Sequence, residues 1–136
     1  MAIPKPGEAV RGSRSGRPVM ALFDLLGRRW LLRIIWELRA TPLTFRELQD
    51  RCDGMSPTVL NRRLRDLRDV DIVILAASGG YALSRSGEQL LAALMPLQHW
   101  SEGWQKRLAK KSMAADDNAT TLPGEALRPA RRRSSA

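Results

Sequence analysis

Cysteine and histidine are nearly missing from this chain of 136, which holds one of each, Cys52 and His99. A lone cysteine excludes an internal disulfide and any Cys-rich zinc site. With a single histidine beside it, the usual metal constellations cannot be assembled, so neither metal nor cofactor is expected. Long apolar runs are missing too. No stretch approaches the roughly 20 residues that span a bilayer, and residues 1–17 lack the apolar segment of a secretory signal. Nor is there a glycine-rich phosphate loop or a nucleophile elbow. The expectation is a reduced, soluble, cytoplasmic binding protein rather than an enzyme, with no membrane partner. At 43% hydrophobic, the chain has apolar material for one core, and its length suits one domain.

What is abundant is arginine. Lys and Arg number 23 against 14 Asp and Glu, a formal net charge of +9. Residues 1–17 hold Lys5, Arg11, Arg14 and Arg17 against Glu8, and residues 112–136 end in Arg131, Arg132 and Arg133. The excess is therefore spread over both ends and the middle. Such a balance marks a polyanion partner, and charge alone licenses affinity rather than sequence preference. A sequence-neutral nucleic-acid or nucleoid-binding protein is accordingly the rival to a sequence-specific DNA binder.

Both ends read as tails. Pro4, Pro6, Gly7, Gly12 and Gly16 punctuate 1–17 as a flexible basic arm, and 112–136 is a polar, flexible tail. The folded unit is expected over 18–111. Within it, Val19, Leu22, Phe23 and Leu26 recur at helical spacing until Gly27. A second helix is predicted over 28–39, with Trp30 and Trp36 anchoring it in the core. Leu43-Thr44-Phe45 reads as extended, and a short third helix follows over 46–52. Ser56-Pro57 then combines a side-chain N-cap with proline in the first turn, starting a fourth helix to about Asp69. Residues 72–76 and 81–83 have strand composition around Ser78-Gly79-Gly80. Ser84 caps a closing helix, which Pro96 is expected to kink or break. The fold class is mainly α with a small β-hairpin, the order of a winged helix-turn-helix with terminal dimerisation helices.

On the fourth helix, stepping 100° per residue from Leu60 puts Leu64 and Leu67 within about 40° of it. Thr58, Arg62, Arg65 and Asp69 fall on the opposite face, flanked by Asn61 and Arg68. Arginine can grip a guanine edge bidentately, asparagine an adenine, and threonine a phosphate or a thymine methyl. Ser56, Thr58, Asn61, Arg62, Arg65 and Arg68 are the candidate DNA-binding residues. The same pattern also describes a solvated face in which Asp66 and Asp69 neutralise the arginines locally. In the closing helix, Leu97, Trp100, Trp104 and Leu108 share helical spacing and are candidates for a dimer seam or an apolar effector pocket. Cys52 reads as a small buried hydrophobe, and His99 as a packing or surface residue.

These residues resemble the HxlR family of bacterial winged-helix regulators over about 18–104. Leu26-Gly27-Arg28-Arg29-Trp30 is similar to the family's Leu-Gly-Gly-Lys-Trp. Phe45-Arg46-Glu47-Leu48 and Gly54-Met55-Ser56, followed by Leu60 and the Arg62–Leu67 run, also match. Tyr81-Ala82-Leu83-Ser84 with Gly87 and Leu90, and Leu97 with Trp100, complete the resemblance. It implies a homodimeric transcription factor whose terminal helices pair the subunits and whose fourth helix reads double-stranded DNA. Repression by promoter occlusion, and release by a small-molecule effector, are the associated expectations. Two departures stand out. Where family members often carry a sensing Cys-Pro, this chain has Arg17-Pro18. The wing tip, Ala76-Ala77-Ser78-Gly79-Gly80, holds no basic residue.

Overall fold

A computed structural model of the chain describes residues 3–120. The elements run α1 (Pro18–Leu26), α2 (Leu31–Glu37), α3 (Phe45–Arg51), α4 (Pro57–Asp69), β1 (Val73–Leu75), β2 (Tyr81–Leu83) and α5 (Arg85–Thr120). The chain divides into two compact units, Met1–Leu94 and Met95–Ala136.

In the first unit, α1 to α4 surround a core that includes Leu25, Leu31, Ile34, Ile35, Leu48, Leu60, Leu64 and Leu67. The hairpin pairs Val73 with Leu83, Ile74 with Ala82 and Leu75 with Tyr81, antiparallel. Leu43 adds a single bridge on the far side of β2, donating to the Tyr81 carbonyl at 2.9 Å and accepting from its N–H at 2.7 Å. The extended piece before α3 thus comprises Leu43 and Thr44, the latter at φ −67° and ψ 163°, and not Phe45. Thr44 is the N-cap of α3 and Phe45 its first residue.

Helix α2 is shorter than the apolar spacing suggests, because Trp30 sits in the left-handed region at φ 75°. That conformation breaks the helix between Gly27 and Leu31 and makes a sharp corner. Both α3 and α4 end in a doubly bonded left-handed cap. After α4, Asp71 N–H reaches the Arg68 carbonyl at 3.1 Å and Ile72 N–H the Leu67 carbonyl at 2.9 Å. After α3, Asp53 and Gly54 repeat the pattern on Asp50 and Gln49. Ile72 therefore belongs to the cap, and β1 starts one residue later than predicted.

Residues 3–17 close on themselves. Gly7 N–H donates to the Gly16 carbonyl at 3.0 Å, and Val10 and Ser13 exchange two backbone hydrogen bonds. Pro4 is buried and Ile3 packs on the core.

Ser84 does cap α5: its Oγ accepts from Gly87 N–H at 2.9 Å and donates to the Asp71 carbonyl at 2.6 Å. Pro96 does not end the helix, which continues through it to Thr120. Proline removes one N–H donor and restricts φ, yet leaves helical geometry accessible, so the good helix formers around it carry the helix on. The expected tail boundary at 111 thus falls inside α5. The arginines at 128 and 131–133 lie outside the described residues. No described helix is long and apolar enough to cross a membrane.

Candidate nucleic-acid interface

Helix α4 owes its orientation to contacts on both sides. At its entry, Gln49 Nε2 on α3 donates to the Met55 carbonyl at 3.0 Å, fixing the turn between the two helices. Arg33 on α2 braces α3 by donating to the Arg51 carbonyl at 2.8 Å while pairing with Glu37 at 2.9 Å. The hydrogen bond to Glu37 holds Arg33 above its ordinary pKa, so it stays charged. Leu60, Leu64 and Leu67 are at most 1% exposed, which seats α4 on the core. Burying three leucines contributes roughly 1.5–3 kcal/mol each.

The opposite face is open. Ser56, Thr58, Asn61, Arg62, Arg65 and Arg68 are all exposed. Ser56 occupies the N-cap position, but its side chain makes no capping hydrogen bond, contrary to the sequence expectation. Its backbone carbonyl begins the helix by accepting from Leu60 N–H at 3.0 Å. The capping side chain in this motif is Thr44 on α3, whose Oγ1 accepts from Glu47 N–H at 3.2 Å.

Local neutralisation of the arginine face does not occur through Asp66. That carboxylate points back toward the α1–α2 corner, 3.4 Å from Arg63 and 3.8 Å from Arg28. Arg63 also donates from Nε to the Arg29 carbonyl at 3.0 Å. Among the described residues, Arg62, Arg65 and Arg68 form no ion pair. The brace formed by Arg28, Arg63 and Asp66 was not singled out from the sequence. The helical wheel held the signal: Arg63 falls about 60° from Leu60, toward the buried side.

Two open clefts flank α4, and Arg65 lines both. One, about 380 Å³, separates α4 from β1 and includes Arg68, Ile74 and Leu75. The other, about 730 Å³, lies between α4 and the α1–α2 corner and is rich in arginine.

In the second unit, Leu97, Trp100, Trp104 and Leu108 run along α5 as an exposed apolar stripe, between 48% and 58% exposed. The Trp100 and Trp104 rings stack with centroids 5.6 Å apart. Cys52 is fully buried in the first unit, and burial pushes its thiol pKa up. A thiolate nucleophile is disfavoured there. Trp30 packs partly against the core, whereas Trp36 is half-buried under the Arg39 guanidinium, 4.2 Å from the ring centroid.

Comparison with known proteins agrees with this fold. The chain matches the HxlR-like helix-turn-helix family model over residues 25–109. The crystal structure of quinone-bound YodB from B. subtilis is 30% identical with a TM-score of 0.58, covering 62% of this chain and 96% of that one. A structure described as a possible HxlR family transcriptional factor from Thermoplasma volcanium GSS1 is 29% identical with a TM-score of 0.55, covering 62% of this chain and 82% of that one. The reduced form of YodB is 29% identical with a TM-score of 0.53, covering 61% and 87% respectively. A search of curated proteins gave no match. The chain belongs to the HxlR-like helix-turn-helix family, and its fold is the winged helix-turn-helix of a DNA-binding transcriptional regulator.

Proposed function

We propose that the protein is a sequence-specific repressor that binds a pseudo-palindromic operator as a homodimer and acts by occluding a promoter. The observation that carries this reading is the exposed, un-neutralised face of α4 set on a rigid support. Arg62 and Arg65 read guanine edges, and Asn61 reads adenine. Thr58 contacts a phosphate or a thymine methyl. Ser56, its hydroxyl free of capping duty, and Arg68 hold neighbouring phosphates. The stripe of Leu97, Trp100, Trp104 and Leu108 pairs with its copy, because stacked tryptophans half open to water are a poor end state for a lone helix. Two α4 helices then meet successive major grooves about 34 Å apart.

Release by a small effector is part of the same proposal, supported by the relative solved with a quinone bound. The same stripe is where such a ligand would act. Attachment through Cys52 is disfavoured by its burial.

Selection of bound fragments from random DNA, then footprinting, tests the reading. Arg65→Ala and Asn61→Ala should each cost about 1–3 kcal/mol on the selected site and relax one position per half-site, with a much smaller loss on random duplex. Equal losses on both duplexes would make these side chains phosphate contacts only. A ratio of selected to random affinity near one would establish the sequence-neutral binder instead.

A further inference from the structure

The wing leaves a gap in the charge pattern. Its tip is Ala76-Ala77-Ser78-Gly79-Gly80, and the exposed side chains of β1 are Ile74 and Leu75. Basic residues gather on the other flank of α4 instead. The turn of 3–17, closed by Gly7 and Gly16 and bridged at Val10 and Ser13, brings Arg11 to the rim of the 730 Å³ cleft. Arg28 and Arg29 enter from the α1–α2 corner, and Arg62 and Arg65 from α4. The acids on that wall are Asp24 and Asp66, and Asp66 is engaged by Arg28 and Arg63. Arg29, Arg62 and Arg65 have no carboxylate partner among the described residues.

We propose that this cleft is a phosphate clamp, in which Arg11 and Arg29 grip the DNA backbone beside the half-site that α4 reads. The clamp rests on the reading of α4 as the groove-entering helix. The cleft lies alongside that helix and is open, the shape required by a sugar-phosphate strand passing along α4. Arginine suits the task because its planar fork bonds phosphate oxygens bidentately. Such contacts set register and strength but carry no base information. The folded N-terminal turn thereby supplies on one flank the backbone contact that an uncharged wing does not supply on the other.

The test measures affinity against salt for the full chain on its selected operator. Each lost phosphate contact removes about 0.9 from the slope of log affinity against log salt. The double variant R11A/R29A should flatten the slope by about 1.8 per subunit, hence about 3.6 for the dimer on its full operator, and weaken operator and random duplex alike, with base preference intact. R11K/R29K should restore most of the slope, which separates lost charge from damaged folding. Trimming the duplex to the edge of the half-site should bring the unaltered protein down to the double variant. An unchanged slope in R11A/R29A, with operator binding retained by the unaltered protein, would overturn the clamp and leave α4 as the reader. Binding of inorganic pyrophosphate that is lost in R11A/R29A while the DNA slope stays unchanged would also overturn it, making the cleft a small-anion site. Loss of all DNA binding by the unaltered protein would instead overturn the reading beneath it.

Discussion

Two residues with the same apparent job, Thr44 and Ser56, show how much depends on a single hydroxyl's direction. Both stand at helix N-caps, yet only Thr44 accepts a backbone N–H, and it donates onward to Glu47 Oε1 at 2.9 Å. Thr44→Ala should therefore cost about 1 kcal/mol. Ser56→Ala should stay within about 0.5 kcal/mol. Urea midpoints measured at unchanged m-value check this pair, and equal losses would mean that Ser56 caps α4 in solution. Ser56-Pro57 carries a start signal by composition, whereas Thr44 with Glu47 three residues on has the spacing of a capping box, which Ser56 with Val59 lacks. The backbone differs as well: Ser56 leads into its helix at φ −52° and ψ 131°, Thr44 at φ −67° and ψ 163°. The capping-box spacing reports which hydroxyl caps, and the backbone angles are what it leaves out. The exposure of Thr58, Asn61, Arg62 and Arg65, by contrast, was legible from the period of α4 alone, because three leucines on one side leave only one arrangement that buries them.

At the level of elements, the order of helices and hairpin follows from apolar periodicity and turn residues, and the structure keeps that order. Boundaries move where a backbone conformation overrides composition. Trp30 in the left-handed region shortens α2, and the cap at Asp71 delays β1. Neither residue is glycine, so no ordinary turn signal announces them. Gly87 is the reverse case, a glycine inside a helix with a steric reason. A Cβ there would run into the Ile72 carbonyl, the group that accepts from Ser84 N–H at 2.9 Å. The hairpin and the start of α5 are locked together at that spot. Gly87→Ala should destabilise the fold by about 1–3 kcal/mol despite its better helix propensity. A thermal melt would register this as a drop of several degrees, and an unchanged melting temperature would show that the close approach is relieved at no cost.

For the molecule as a whole, the proposed pairing of subunits would decide how the exposed face of α4 is used. The paired variant Trp100→Ala with Trp104→Ala removes the largest exposed groups of the α5 stripe while leaving the core of the first unit intact. Sedimentation should then show a monomer at micromolar concentration. Affinity for a full operator should fall at least tenfold, while affinity for a single half-site holds, because the two halves no longer bind as one. A monomer with undiminished operator affinity would contradict the two-fold arrangement. The stripe was legible as a spacing of apolar residues. Its exposure was not, since identical spacing on a buried helix would serve the core.

Asp66 also bears on how long the protein lingers where it should not. A net charge of +9 suggests a molecule that clings to any duplex, and a chromosome offers millions of wrong sites for each right one. Holding Arg28 and Arg63 against an internal carboxylate withdraws two cations from that contest without touching Asn61, Arg62 or Arg65. Fewer counterions leave the DNA at each random encounter, so each encounter is briefer. In the proposed operator search, one acid on the inner side of α4 would thus shorten each wrong encounter.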